Sequence, residues 1–499
     1  MESLYRPSLA TLTDLYELTM AAAYYKGGRD RDEAVFSLFF RRPPFGSGFT
    51  LAAGLESVVD FIENFAFSPD DLTYLATLSG SDGKPLFEPA FLDHLDHLRL
   101  DLDIDAVPEG GVVFPYEPLV RVRGPLLAAQ IVETALLNLV NFPSLVATNA
   151  ARVVRAAAGV PVLEFGLRRA QGPDGALTAS RAAYLGGCAA TSNVLAGRLF
   201  GIPVRGTHAH SWILAHHSEQ EAFDAYAEAM PNNAILLVDT YDSLTGVERA
   251  ILTGRKMRAA GHELGGIRLD SGDLAYLSAR ARRMLDAAGF PNASIVASND
   301  LDPEAIAAIE DEGGSVSVYG VGTKLVTAYD QPALGGVYKL TAIRANSGEP
   351  WRRPIKVSDD PGKVTVPGVI GVRRFSDAEG TAAADMLYDE SDAGTSEMVV
   401  IDPTNPHRSK VLDPAWSTHE LLVPIFRAGR RVYDPPSLTA VRDHAAAEIA
   451  SFHPGVLRRL NPHRYPAGLE AGLHRRREAL IEETRVTVQA AVAARASLS

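Results

Sequence analysis

The chain has 499 residues, 48 Lys and Arg against 61 Asp and Glu, a net charge of −13 and 46% hydrophobic residues. At roughly 150 residues per domain, that length fits about three units or one large barrel with additions, and the apolar content excludes a disordered or fibrous protein. The single cysteine, Cys188, excludes a disulfide framework and any Cys-rich zinc or iron–sulfur site, and the acidic balance argues against nucleic-acid binding but not against an anionic small substrate.

The opening stretch has no basic region followed by an apolar run, so a secretory signal is not expected. Residues 13–28 read as a helix, with Thr13 or Asp14 as its cap and Gly27-Gly28 as its stop. Residues 34–42 read as an aromatic strand ending in Arg41-Arg42, and 112–124 as two short strands around prolines. A long helix follows over 130–159, apolar on several faces and kinked at Pro143. No uncharged apolar stretch reaches about 18 residues, so no membrane span is expected.

From 160 to 345 short β-branched runs recur at 160–167, 201–209, 234–241, 266–270, 293–300 and 315–322. Helix-patterned segments such as 243–261 and 273–289 lie between them. Spacings of roughly 25–40 residues are those of βα units, and the continuous apolarity of the runs indicates burial on both faces. Each run is apolar first and polar last: Glu164 to Arg169, Thr207 to His210, Asp239 to Asp242, Arg268 to Asp273, Ser298 to Asp300, and Gly320 to Lys324. In a closed βα barrel the strand C-termini share one face, and that face carries the chemistry. An open doubly wound sheet would gather its ligand groups at one switch point instead. The expected fold is therefore an α/β barrel. Beyond it, 352–375 reads as hairpins and 436–499 as charged helices.

Several groupings could carry chemistry. His208 and His210, two apart on a strand, would project from one face. They read as a metal pair, as one functional histidine beside a solvated one, or as polar residues without a role. His216-His217 fall in a helix pattern. Arg268 and Asp270 alternate on a strand end, which suits a salt-bridged turn or an Arg that grips a carboxylate in bidentate fashion. Gly320 to Lys324 supplies backbone N–H groups, a hydroxyl and a Lys at a helix start, the makings of a phosphate cradle, or else of a plain turn. Arg168 and Arg169 on a Gly-flanked loop suit a polyphosphate, or simple exposure. Tyr16 and Phe165 read by themselves as core residues.

The segments TDLYELTM, FFRRPPF, EFGLRRAQGPDG, LGGCAATSNVLAG, GTHAHS, RLDSGDL, VYGVGTK and LGGVYKL, in this order, resemble the nicotinate phosphoribosyltransferase family over about 10–345, with a weaker likeness in KVSDDPGKVTVPG. The resemblance implies an irregular type II phosphoribosyltransferase barrel over 126–345. It implies an α+β N-terminal domain over 1–125 that reaches a partner's active site. The C-terminal extension, 346–499, would be β-rich with helices, packing on the N-terminal domain. It implies a cytoplasmic homodimer with shared sites. The reaction would convert nicotinate and 5-phosphoribosyl 1-pyrophosphate to nicotinate mononucleotide and pyrophosphate, with Mg²⁺, coupled to ATP through a phosphohistidine.

By the same resemblance, Tyr16, Phe165, Thr207 and Arg268 contact nicotinate, with Arg268 receiving its carboxylate and Phe165 stacking on the ring. His210 is the phosphohistidine. Arg41, Arg168, Gly320, Gly322 and Thr323 hold phosphates. Asp270 is the candidate for facing the cationic sugar that forms as pyrophosphate leaves. The resemblance leaves the Mg²⁺ ligands open. The departure is His208, where the family pattern often has a small or apolar residue. Competing readings are a nicotinamide phosphoribosyltransferase, the shorter quinolinate enzyme of the same fold, a metal-dependent barrel hydrolase built on His208 and His210, and an inactive metabolite sensor.

Overall fold

The computed structural model describes residues 9–358, 361–392 and 397–496. They form two compact units, one of 145–332 and one joining 1–144 to 333–499.

The 145–332 unit is built on parallel strands Val162–Glu164, Ala190–Thr191, Ile235–Leu237, Gly266–Leu269, Ser294–Ser298 and Val318–Val321. In space the last strand lies against the first, Tyr319 opposite Val162, so the chain-order ring closes there. Ile267, Leu269, Ile295, Ala297, Tyr319 and Val321 are fully buried, as strands covered on both faces must be. The expected strand over 201–209 is reduced to one parallel bridge between Val204 and Thr191. Arg205 N–H donates to Thr191 and the Pro203 carbonyl accepts from it, after which the chain leaves the sheet. The barrel therefore has a seam between Val204 and Ile235 where no backbone ladder forms.

Helices return each strand to the next. Asn193, Ser218, Asp242, Asp273 and Asp302 each cap one by accepting a first-turn N–H. Such caps stabilise by about 1 kcal/mol each. Asp242 and Asp273 thus end their polar runs as helix caps. His216 and His217 lie in the bend between His210–Leu214 and Glu219–Ala229, not in a helix.

The other unit holds an antiparallel sheet in which Val337–Arg344, Glu33–Phe39, Val120–Pro125, Asp103–Ala106 and Val423–Arg427 lie side by side. The C-terminal extension thus donates a strand to the N-terminal sheet. Ile370–Ser376 forms a hairpin with Ala382–Asp389 at the centre of a further sheet. The remainder of the expected hairpin region, 353–369, has no strand among its described residues. The predicted helix over 13–28 spans Leu15–Lys26, and Glu133–Ala156 runs on through Pro143. The segment Leu126–Ala156 is long and apolar enough by composition to cross a membrane, yet it is mostly buried in the protein, which accounts for its apolar faces.

Candidate active site

Arg268 sits near the end of its strand with its side chain 14% exposed. All three guanidinium nitrogens donate to the protein. Nε reaches Ser298 Oγ at 2.8 Å, Nη1 reaches Thr207 Oγ1 at 3.1 Å and Nη2 reaches Asp270 Oδ1 at 2.8 Å. Ser298 Oγ in turn donates to Asp270 Oδ1. A guanidinium has five N–H groups, so one on each Nη is left for a ligand. The guanidinium carbon lies 5.7 Å from the Phe165 ring centroid.

Phe165 follows the first barrel strand. A Cβ on Gly320 would fall 2.6 Å from Phe165 Cδ2, so only glycine leaves that ring its place. A Cβ on Gly322 would stand 3.2 Å from the Phe165 carbonyl oxygen. Thr323 opens the short helix Thr323–Val326. Lys324 is committed elsewhere: its Nζ is 2.5 Å from Asp302 Oδ2, so it is an ion-pair partner and not a free cation at the cradle. Arg168 lies on the exposed turn Leu167–Arg169 ahead of the helix Gly172–Leu185. Behind Phe165, the fully buried Glu164 carboxylate accepts from Ser180 at 2.8 Å, from Thr191 at 2.5 Å and from Gly166 N–H. Three donors meet the cost of burying it.

The two histidines do not share a face. His208 is buried, and His210 begins the helix His210–Leu214 with its side chain 42% exposed. Strand geometry fails here because 205–209 is irregular. His210 Nδ1 is 3.1 Å from Thr240 Oγ1, while Nε2 stands 4.0 Å from Asp239 Oδ1 and 3.9 Å from Asp270 Oδ2. Asp239 Oδ2 accepts from Asp270 N–H at 2.9 Å and from Ser271 Oγ at 2.6 Å. Asp239 Oδ1 is buried and has no hydrogen-bond partner among the described residues.

His208 Nε2 accepts from Leu237 N–H at 3.1 Å, which leaves the proton on Nδ1, 3.4 Å from Ala209 O. Burial pushes its pKa down, and Arg268 and His210 push the same way. With one nitrogen accepting and the other protonated, His208 has no lone pair for a metal. Among the described residues no group of three or more His, Cys, Asp or Glu is arranged to hold a metal ion by itself.

In the other unit, Tyr16 is 47% exposed on its helix beside Leu15, at 51%, and Met20, at 38%. Burial of its hydroxyl raises the Tyr16 pKa, and a hydrogen bond to Glu133 adds to the rise. Lys339 is pulled down by burial, opposed by Glu133 and assisted by Arg41 and Lys356. Arg41 Nε is buried without a hydrogen-bond partner among the described residues. Glu133 links the two neighbourhoods: it hydrogen-bonds Tyr16 and acts on Lys339, which in turn feels the charge of Arg41.

Asp239, Thr240 and Ser298 were not singled out from sequence. All three lie in the polar endings of barrel strands, which is the signal that could have found them. Side-chain type alone could not separate Asp239, at the site, from Asp242, which caps a helix.

Models of the nicotinate phosphoribosyltransferase (NAPRTase) family match the chain in three parts: its N-terminal domain over 11–141, the family domain over 160–376 and the C-terminal domain over 371–477. The chain is 41% identical to nicotinate phosphoribosyltransferase of Bacillus subtilis over 470 residues, covering 93% of each. It is 38% identical to nicotinate phosphoribosyltransferase of Homo sapiens over 521 residues, covering 93% of this chain and 95% of that one. Its fold is similar to the crystal structure of human nicotinic acid phosphoribosyltransferase, with a TM-score of 0.80 and 34% identity over 94% of this chain and 99% of that one.

Proposed function

The chain belongs to the nicotinate phosphoribosyltransferase family, and from that premise we infer that it is the enzyme joining nicotinate to 5-phosphoribosyl 1-pyrophosphate, giving nicotinate mononucleotide and pyrophosphate in the salvage route to NAD. The observation that carries the reading is Arg268, held on three sides with one N–H free on each Nη, beside the face of Phe165. A carboxylate fills both free donors in bidentate fashion, and the aromatic ring attached to it stacks on Phe165. An amide would leave the cation half satisfied, so the acid is chosen over the amide.

The pyridine nitrogen attacks C1 of the sugar as pyrophosphate leaves, so the two reactants must be held in line. Arg41, Arg168, Thr323 and the backbone of Gly320 and Gly322 are the groups we assign to the phosphates. Asp270 faces the developing positive charge. Mg²⁺ fits the residues present, because it keeps most of its shell from water and phosphate and needs only one or two carboxylates. Asp239 Oδ1, which has no hydrogen-bond partner among the described residues, and Asp270 Oδ2 would supply those. When bound, the ion neutralises charge on the departing pyrophosphate.

ATP coupling is assigned to His210. Thr240 anchors Nδ1, and Nε2 faces the site between two carboxylates. With nicotinate, phosphoribosyl pyrophosphate and Mg²⁺ the protein should form the mononucleotide, faster with ATP. Terminally labelled ATP should leave acid-labile, base-stable phosphate on His210. The His210→Ala variant should lose the label and the ATP stimulation while keeping some synthesis, and His208→Ala should keep the label. Label retained by His210→Ala would overturn the assignment; absence of mononucleotide would overturn the function itself.

We place this activity in a cytoplasmic homodimer whose sites are shared. The exposed Leu15, Tyr16 and Met20 support a covering partner. In a symmetric dimer each site takes one part from each chain. Inactive Tyr16→Ala/Arg41→Ala protein mixed with inactive Arg268→Ala protein then yields mixed dimers with one intact site. With equal amounts and full chain exchange, roughly a quarter of wild-type activity should return. Mixed dimers recovered by two tags yet inactive would show that each site belongs to one chain.

A further inference from the structure

The barrel seam between Val204 and Ile235 is spanned by a side chain. Past Arg205 the backbone makes no ladder to Ile235–Leu237, and the ring of His208 takes the Leu237 N–H that a neighbouring strand would otherwise accept. The level is informative, because Leu237 is the register partner of Arg268 on the adjoining strand. The ring is wedged against Tyr226, at 4.7 Å between centroids, and Phe223, at 6.4 Å. Its own backbone carbonyl accepts from Thr207 Oγ1 at 3.2 Å, and the same hydroxyl accepts from Arg268 Nη1. Two residues on, His210 meets Thr240. Leu237, His208, Thr207 and Arg268 thus form one hydrogen-bonded chain across the seam.

We propose that His208 is a positioning residue for the transfer reaction: its Nε2 replaces the missing strand pairing at the seam, and so sets Thr207 against Arg268. It touches no reacting atom. The inference rests on the reading of Arg268 as the nicotinate anchor, but its structural half concerns Leu237 alone.

The test uses the full chain with His208→Leu and His208→Phe, which lack the acceptor, and His208→Gln, whose side-chain oxygen can reach the Nε2 position. His208→Phe also keeps an aromatic ring against Tyr226 and Phe223, so it guards against a fold lost through a cavity. Hydrogen exchange at the Leu237 amide, read by fragment mass spectrometry, should quicken about tenfold in the Leu and Phe variants, the effect of losing one hydrogen bond, and return to within about threefold in His208→Gln. KM for nicotinate should rise about tenfold in the first two and recover in the third, with KM for phosphoribosyl pyrophosphate little changed. Unchanged Leu237 exchange in the Leu or Phe variant overturns the proposal. So does equal impairment of Phe and Gln variants, which would assign the effect to packing. A wild-type protein that forms no mononucleotide refutes the proposed function instead, and the exchange at Leu237 still decides the seam.

Discussion

Arg268→Gln lowers kcat/KM for nicotinate by about 30- to 5,000-fold, the equivalent of the roughly 2–5 kcal/mol lost when a buried, hydrogen-bonded charge pair loses one partner. The wild-type enzyme, with Arg268 in place, prefers nicotinate to nicotinamide by at least about a hundredfold. In the variant that preference narrows, because a neutral side chain no longer separates a carboxylate from an amide. Arg268→Lys does not rescue it fully. Lysine keeps the charge but not the planar fork, and Ser298, Thr207 and Asp270 each hold a different nitrogen of that fork. Steady-state kinetics with both bases, together with a thermal melt showing that each variant folds, check this. Nicotinate kcat/KM within threefold of wild type in Arg268→Gln would remove Arg268 from the base pocket.

The second large effect lies in the other unit and bears on stability. Arg374 is 1% exposed, on a strand facing its register partner Asp385. Its Nη2 is 2.7 Å from Asp385 Oδ2, its Nη1 is 2.8 Å from Glu448 Oε2, and Nη2 also donates to Val112 O at 2.7 Å. Tyr465 OH donates to Asp385 Oδ1 at 2.9 Å. Burial pulls the guanidinium pKa down, but the Asp385 charge outweighs it and the net shift is upward. Burial and the same aspartate hold the neighbouring Glu117 pKa well above the usual carboxylate range. Removing this cation leaves Asp385 and Glu117 facing each other out of water. Arg374→Met should therefore cost about 3–5 kcal/mol, whereas Arg374→Met/Asp385→Leu should recover most of it, since a buried pair replaced by apolar side chains is close to neutral. Calorimetric unfolding of the three proteins reads this directly. A single variant within 1 kcal/mol of wild type would show that water or rearrangement compensates the carboxylates.

Local chemistry in the sequence already determined much of this protein. The β-branched runs at 234–241, 266–270, 293–300 and 315–322 became barrel strands because continuous apolar segments bounded by polar ends can be satisfied only between layers of helices. The ordered motifs around Arg268, His210 and Gly320 were sufficient to place the chain in its family, and the comparisons with known proteins bear that out. Gly320 and Phe165 were legible as members of separate motifs, while their mutual need for space was not, because it depends on a contact between neighbouring strands.

Other features only the tertiary structure decided. A strand was expected over 201–209, and one bridge formed; the run contains Pro203 and two glycines, and its ladder partner was replaced by the His208 ring. Periodicity cannot foresee that, because the Leu237 N–H it serves lies 29 residues away. Asp239, Asp242, Asp270 and Asp273 are alike in sequence, each a carboxylate past an apolar run. Folding assigns Asp242 and Asp273 to N–H groups of their own helices, which any chain can satisfy locally. It turns Asp239 and Asp270 toward His210, whose position is set by a different strand end. Residue type and spacing set which groups were available, and the closing of the ring set which of them meet, because a barrel brings side chains distant in sequence to one face at hydrogen-bonding distance.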